Sequence, residues 1–427
     1  MSLEKTSDKL FYINLIYLFI SKMVNYILPF FILIYLISTI GIENYGKLSF
    51  SQATVYYFQL LCEFGFAFSG TKQIVDYSND LKKKSEIISS IYTATSYLIG
   101  LSSVLLLVLI LFVETFQNNQ LEILFFFIGS IFFILTPLWY YQGVQRVKQI
   151  TAVNVLSKFL LAIGVVFLVT IKSDYLYYPI TYAFCNFIPF CYANYIMLKK
   201  DKITLSLAPL KSIVKQMKYS KDFFVGTLAS GAFYSNITLL LGFFTSDTIV
   251  GVYSAAEKLI RALATISSPI AQALFPNVSE KSKINIAKAT NFSFRVGFVS
   301  SLVVGILSLL SFFLVPILVD RIPFLGRQFG DSMMIFRLMC LFPAVDTFMH
   351  TFCSQQLITF NMKKWYSFSY IVGLCFNALI GVILIKEFQL TGAGLVLFLT
   401  ELLMCIIMMF FILKRMKKLK INFKLKS

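Results

Sequence analysis

Residues 199–221 read KKDKITLSLAPLKSIVKQMKYSK, the longest polar stretch in a chain that is 58% hydrophobic, 17% aromatic and only 14% charged. With a mean hydropathy of +0.78, the composition lies outside that of ordinary soluble domains. A helix that crosses a bilayer needs roughly 20 mostly apolar residues, and backbone in hydrocarbon is tolerable only in helices or closed barrels. Working outward from Lys199 in both directions, we find about twelve such runs, all too long for barrel strands. They cover approximately 10–37, 47–69, 87–113, 121–141, 150–171, 175–198, 222–244, 249–273, 292–319, 332–356, 366–386 and 390–413. The expectation is an all-α integral membrane protein of about 12 transmembrane helices in two six-helix lobes. Residues 1–198 would form the first lobe, 199–221 a basic cytoplasmic connecting segment, and 222–427 the second lobe with a basic tail.

The opening MSLEKTSDKL leads into an apolar run with no small-residue cleavage site, which reads as a retained helix. All seven cysteines fall within predicted helices without a CxxC pair, so packing roles are expected, and neither disulfides nor a metal site. The formal charge of +18 is confined to alternate loops. With the N-terminus inside, one face holds Lys72, Lys82–84, Arg146, Lys148, the lysines of 199–221, Lys281, Lys283, Lys288, Lys363, Lys364 and the basic ends. The opposite face has only Lys47, Lys172, Arg321, Arg327 and Lys386. Positive residues stay inside, so both termini are expected in the cytoplasm and the helix count is even. The tail KRMKKLKINFKLKS reads as topology plus attraction to anionic lipid head groups, and no nucleic-acid motif accompanies it.

The two sides of the basic segment echo one another. IENYGKLSFSQATVYYFQLLCEFG (42–65) and DTIVGVYSAAEKLIRALATISSP (247–269) align Gly46 with Gly251, Ser49 with Ser254, Gln52 with Glu257, Tyr56 with Arg261 and Glu63 with Ser268. Both segments run from outside to inside, so the repeat is parallel.

Ionisable groups in a spanning helix cost several kcal/mol and belong either in a water-filled cavity or in pairs. Their spacing groups them. Asn14, Tyr17, Ser21 and Asn25, with Lys22 adjacent, share a face of the first helix; Gln52, Tyr56, Gln59 and Glu63 share one on the second. Ser254, Glu257, Arg261 and Thr265 share one on the eighth, and Asp346 and His350 lie one turn apart on the tenth. With Arg295, these residues are expected to line a substrate cavity between helices. The bland reading is that Glu257 with Arg261, and Asp346 with His350, only satisfy each other. Lys22 and Lys158 are expected near cytoplasmic ends, where a long side chain can snorkel. Lys22, Lys158, Lys258, Arg261, Arg295 and Arg337 outnumber Glu63, Glu257, Asp346 and Glu401, and a cationic cavity suits an anionic substrate.

The chain has no GxxxxGK[ST] loop, no segment long enough for a soluble ATPase or transferase domain, and one histidine without a nucleophile or paired-carboxylate setting. No cofactor and no catalytic residue is expected. Membrane-embedded glycan polymerases and ligases are the enzyme alternative, and the short outer loops weigh against them.

IGIENYGKLSFSQA, EFGFAFSGTKQIVD, TPLWYYQGVQRVKQITAVNVLSK and GVYSAAEKLIRAL with PIAQALFPNVSE together resemble a known family. It is the polysaccharide-unit flippases, the Wzx type, of the multidrug/oligosaccharidyl-lipid/polysaccharide (MOP) exporter superfamily. The marks are Tyr45-Gly46, Phe64-Gly65, Gly70-Thr71-Lys72, Trp139, Gln142-Gly143, Tyr253-Ser254 and Phe275-Pro276. The resemblance implies two lobes in a V that open alternately to either side of a bacterial cytoplasmic membrane. The cargo would be an undecaprenyl-diphosphate-linked oligosaccharide repeat unit for O-antigen or capsule. The implied partners are the bilayer, a glycan polymerase machinery, and sodium or protons coupled through Glu63, Glu257 or Asp346. Lipid II flippases and drug exporters are the alternatives within that fold.

Overall fold

The computed structural model describes the backbone of residues 2–265, 270–271, 274, 278, 280–282, 284–321 and 323–419. Side chains are described from residue 28 onward, except at 147, 149, 234, 320, 323–329, 331 and 363. Asn14, Lys22 and Asn25 therefore lie on a described helix with side chains outside the description, as does the side chain of Arg327. Ser268, Phe275, Pro276 and the tail from Lys420 onward are likewise outside the described residues.

No strand occurs among the described residues. The helices are α1 Ser2–Glu63, α2 Phe66–Asp76, α3 Leu81–Phe112, α4 Glu114–Gln117, α5 Gln120–Ile134, α6 Leu138–Gly143, α7 Val147–Leu168 and α8 Tyr177–Tyr195. They continue with α9 Leu210–Phe244, α10 Asp247–Ala264, α11 Ile286–Arg321, α12 Pro323–Met339, α13 Phe342–Phe348, α14 Ser354–Thr359 and α15 Lys363–Lys418. A π-helical turn, Met349–Cys353, joins α13 to α14. Two of these ranges each hold two helices joined at a kink, at Gly41 in α1 and at Gln389 in α15, so the runs expected on either side of each kink are separate helices. By length and apolarity seven described helices can cross a membrane, or eight when Leu210–Phe233 and Ser235–Phe244 count as one span. The chain divides into two compact units, Met1–Ala232 and Phe233–Ser427.

Each unit shows why its helices need lipid. On α3, Ile87, Ile91, Ala94, Leu98, Leu106 and Ile110 are buried, while Tyr97, Leu101, Val104, Leu105, Val108, Leu111 and Phe112 are exposed. Both stripes follow the helical period, so the exposed one is an apolar face that only hydrocarbon satisfies. In the second unit, α11 buries Ser293, Gly297, Ser300, Val304 and Ser308 along one face. Small residues there let backbones approach, as in membrane helix pairs generally. A Cβ at Gly297 would lie 2.7 Å from the Phe352 Cβ. Ser301 donates to the Ala344 carbonyl at 2.7 Å, and Ser308 donates to that of Cys340.

The basic segment departs from a free connector. Its second half is helix from Leu210, with Pro209 just ahead of the first turn, where its missing N–H is no loss. Ile213, Gln216 and Ser220 are buried while Lys211, Lys215 and Lys218 point outward, a helical period that low apolarity hid. The first half is strapped onto α3. Thr204, Ser206 and Ala208 donate their backbone N–H groups to the hydroxyls of Ser85, Ser89 and Thr93 at 3.2, 3.1 and 3.2 Å. Two extended residues advance roughly 6.6 Å and four helical residues roughly 6 Å, so alternate amides meet every fourth α3 residue. Each bond contributes about 0.5–1.5 kcal/mol. Substituting Ser85, Ser89 and Thr93 together by Ala is therefore expected to speed amide exchange at 204, 206 and 208 by at least about tenfold. Unchanged protection in hydrogen-exchange mass spectrometry would reject the strap.

On the opposite face, Asp174 closes the turn between α7 and α8. It accepts the Thr170 and Ile171 N–H groups at 3.0 Å and the Thr170 hydroxyl at 2.9 Å. These donors hold its carboxyl below the usual carboxylate range.

Candidate functional site

In the first unit the stripe on α1 is real and half-buried. Gln52, Tyr56, Gln59 and Glu63 are each partly accessible between buried neighbours. Gln52 donates to the Tyr178 hydroxyl at 3.4 Å, and Gln59 donates to Glu63 Oε1 at 2.8 Å. Glu63 also lines a 220 Å³ cavity with Tyr92, Thr95, Thr136, Trp139 and Gln142.

What holds Glu63 there is a sharp stop in the helix. Phe64 and Gly65 take positive φ values of 40° and 69°, ending α1 and starting α2. A Cβ on Gly65 would lie 2.6 Å from the Phe224 backbone nitrogen, so only glycine allows α9 this close. Phe64 stacks on Phe224 at 4.3 Å between centroids. The motif pieces around residues 70 and 140 meet through the same economy of volume. A Cβ on Gly70 would stand 2.7 Å from the Trp139 ring, and one on Gly143 would stand 2.7 Å from Ile74. Thr71 donates to the Trp139 carbonyl at 3.0 Å. Phe64-Gly65, Gly70-Thr71 and Trp139 with Gly143 are thus packing devices, and Trp139 among them lines the Glu63 cavity.

Lys158 of α7 is half-buried. It lies well inside the apolar span Ile150–Leu168, roughly 12 Å along the axis from Ile150. It borders a 390 Å³ cavity with Gln142, Thr151, Asn154, Ser157, Tyr182 and Asn186, and has no ion-pair partner among the described residues. Asn154 and Ser157 on the turn before it carried the signal: three polar residues at helical spacing in an apolar run. A cation ringed by hydroxyls and amides can hold an anionic, hydroxyl-rich ligand.

In the second unit, α10 brings Glu257 and Arg261 together at 2.9 Å. Ser254 is buried beside Tyr253, Thr265 and Lys258 are half-buried, and Arg295 is half-buried on α11. The Glu257 side chain is 10% exposed and that of Arg261 39%. A guanidinium carries five N–H donors, more than one carboxylate can take up. The pair therefore forms as the bland reading requires, while part of Arg261 stays at an accessible surface.

Asp346 and His350 also meet, at 3.4 Å between Oδ1 and Nε2. A third group joins them that spacing did not reveal: Glu401 of α15 brings an oxygen within 4.8 Å of both. A second polar chain links α9 to α15. Asn236 donates to the Asn377 side-chain oxygen at 2.7 Å, and Asn377 donates to the Thr400 hydroxyl at 3.3 Å. Neither Asn236 nor Thr400 lay on a recognisable stripe, because each comes from a different helix.

A family profile described as polysaccharide biosynthesis protein matches residues 12–282. Two curated proteins, each named "Putative O-antigen transporter", are 26% identical to this chain. The one from Escherichia coli (strain K12) aligns over 93% of this chain and 96% of its own length, and the one from Shigella dysenteriae over 93% and 98%. Among solved structures, the lipid II flippase MurJ in an inward closed conformation matches with a TM-score of 0.69 at 14% identity, covering 94% of this chain and 87% of that one. An inward-facing MATE-family multidrug resistance transporter of the MOP superfamily matches with a TM-score of 0.66 at 13% identity, covering 92% and 94%. Likeness at such identities shows the fold alone, an all-α membrane fold shared with these two structures.

Proposed function

We propose a transport function on one premise: the chain belongs to the polysaccharide biosynthesis protein family. It is a flippase that carries a lipid-linked oligosaccharide repeat unit from the inner to the outer leaflet of a bacterial cytoplasmic membrane, by alternating access, for surface polysaccharide assembly. The carrier lipid is undecaprenyl diphosphate, and both termini face the cytoplasm. The observation that carries this reading is the near-full-length similarity to two proteins named as O-antigen transporters.

The chemistry of each unit suits that cargo. Diphosphates and sugar acids are anionic, and Lys158 and Arg261 are cations at accessible polar surfaces. Gln52, Tyr56 and Gln59, with Asn154 and Asn186, supply donors and acceptors for sugar hydroxyls. Glu63 and Glu257 are the carboxylates suited to a coupling sodium ion or proton. A glycan polymerase machinery is the partner that receives the flipped unit.

Moving one uncompensated charge through 100 mV is worth about 2.3 kcal/mol, and an inside-negative potential favours outward movement of an anion. In proteoliposomes loaded with a fluorescent undecaprenyl-diphosphate oligosaccharide, the protein is expected to expose the inner-leaflet pool to an added quencher. An imposed inside-negative potential is expected to accelerate that exposure by several-fold. No exposure above protein-free vesicles would reject the function. Exposure indifferent to the potential would reject the electrical contribution alone.

A further inference from the structure

We propose that Asp346, His350 and Glu401 form a binding site for one divalent transition-metal ion inside the second unit. The sequence suggested no metal site, because Glu401 lies on a different helix from the other two. The fold brings one oxygen of Asp346, one nitrogen of His350 and one oxygen of Glu401 within 4.8 Å of one another.

Three observations favour a metal. First, the carboxylates are deeply buried, with Asp346 3% and Glu401 1% exposed. Apart from Asp346, which it faces, Glu401 has no hydrogen-bond partner among the described residues. An isolated carboxylate in such a place carries a desolvation penalty of several kcal/mol, and two facing each other repel. Two carboxylates with a neutral imidazole sum to a charge that one divalent cation cancels.

Second, the donor set is one nitrogen and two oxygens. Imidazole with carboxylate suits zinc, manganese, iron or cobalt, whereas calcium and magnesium prefer oxygen alone. Metal–ligand distances of about 2.0–2.2 Å place tetrahedral ligands roughly 3.4 Å apart. The His350 Nε2–Asp346 Oδ1 separation is 3.4 Å, so this edge is already formed. Third, one of the three ligands is accessible. The His350 side chain is 38% exposed while the carboxylates behind it are covered. His350 also sits in the π-helical turn Met349–Cys353, a local distortion that often accompanies functional sites. A bound ion would tie this turn to α15.

The test uses the full chain, purified in detergent without a polyhistidine tag, stripped by chelator and titrated with Co²⁺. The expected result is about one Co²⁺ per chain, visible d–d absorption of a low-coordinate site, and displacement by Zn²⁺. His350→Ala and Glu401→Gln are each expected to weaken binding by at least about tenfold, since even outer-shell changes at metal sites have that effect. X-ray absorption on the wild-type cobalt complex gives a reading independent of how the variants fold: nitrogen and oxygen ligands including imidazole are expected. No stoichiometric uptake by the wild type would overturn the proposal and leave the carboxylates neutralised by protons. Sulfur ligation, or undiminished binding in both folded variants, would overturn it by placing the ion elsewhere. Binding is read without transport, so failure here leaves the proposed function standing.

Discussion

Replacing Arg261 by Ala is expected to lower glycan export by roughly 10- to 100-fold while leaving the protein in the membrane, whereas Arg261→Lys is expected to retain more of it. The expectation rests on what the ion pair does not use. Glu257 is nearly covered, but Arg261 keeps 39% of its side chain exposed at 2.9 Å from that carboxylate. A hydrogen bond to a charged group contributes about 1.5–3 kcal/mol, and 1.4 kcal/mol is tenfold, so one lost contact to an anionic cargo lowers export by roughly 10- to 100-fold. Lysine keeps the charge and loses the fork, hence the partial activity. The competing account is that Arg261 only neutralises Glu257. Under it, the double variant Glu257→Gln/Arg261→Gln, which leaves no orphaned charge, recovers export. Under cargo binding the double variant keeps the lowered export. Complementation of surface glycan in a strain lacking its own flippase, with membrane abundance measured alongside, separates the two.

Gly65→Ala is expected to be strongly destabilising for so small a substitution. The left-handed backbone at φ 69° disfavours any side chain, and the added Cβ would collide with the Phe224 nitrogen at 2.6 Å and the Phe223 carbonyl carbon at 2.8 Å. Backbone cannot step aside as a flexible side chain can. Strain at such a position and overpacking each amount to about 1–3 kcal/mol, together roughly 2–6. Gly100→Ala is the matched control. Gly100 lies on the exposed side of α3, its Cβ would meet nothing within 4 Å, and alanine favours the helix by about 0.5–1 kcal/mol. Thermal unfolding in detergent should therefore fall by several degrees for Gly65→Ala and stay level or rise slightly for Gly100→Ala. Equal behaviour would mean that the stop between α1 and α2 is not held by α9.

Gly65 shows how a legible motif can carry an illegible reason. Phe64-Gly65 stands out in the sequence, yet nothing local says that the glycine is kept by Phe223 and Phe224 of α9. The strap on α3 is similar: Ser85, Ser89 and Thr93 look like ordinary polar positions in the first turns of a helix. Lys158 was visible as a charge, but the cavity it borders with Gln142, Tyr182 and Asn186 was not, because those residues come from other helices.

The sequence by itself determined that this protein is a helical membrane protein, and it determined the intrahelical pairs Glu257–Arg261 and Asp346–His350. Both are short-range facts. Apolarity summed over roughly 20 residues decides whether a segment belongs in lipid, and residues four apart on one helix must be neighbours. Only the tertiary structure decided that Glu401 joins Asp346 and His350, that Asn236 reaches Asn377, and that 204–208 binds α3. Such meetings depend on how each helix is rotated about its axis and which face it gives its neighbour. That rotation is set by many small packing contacts between distant segments, and no single stretch of sequence contains it.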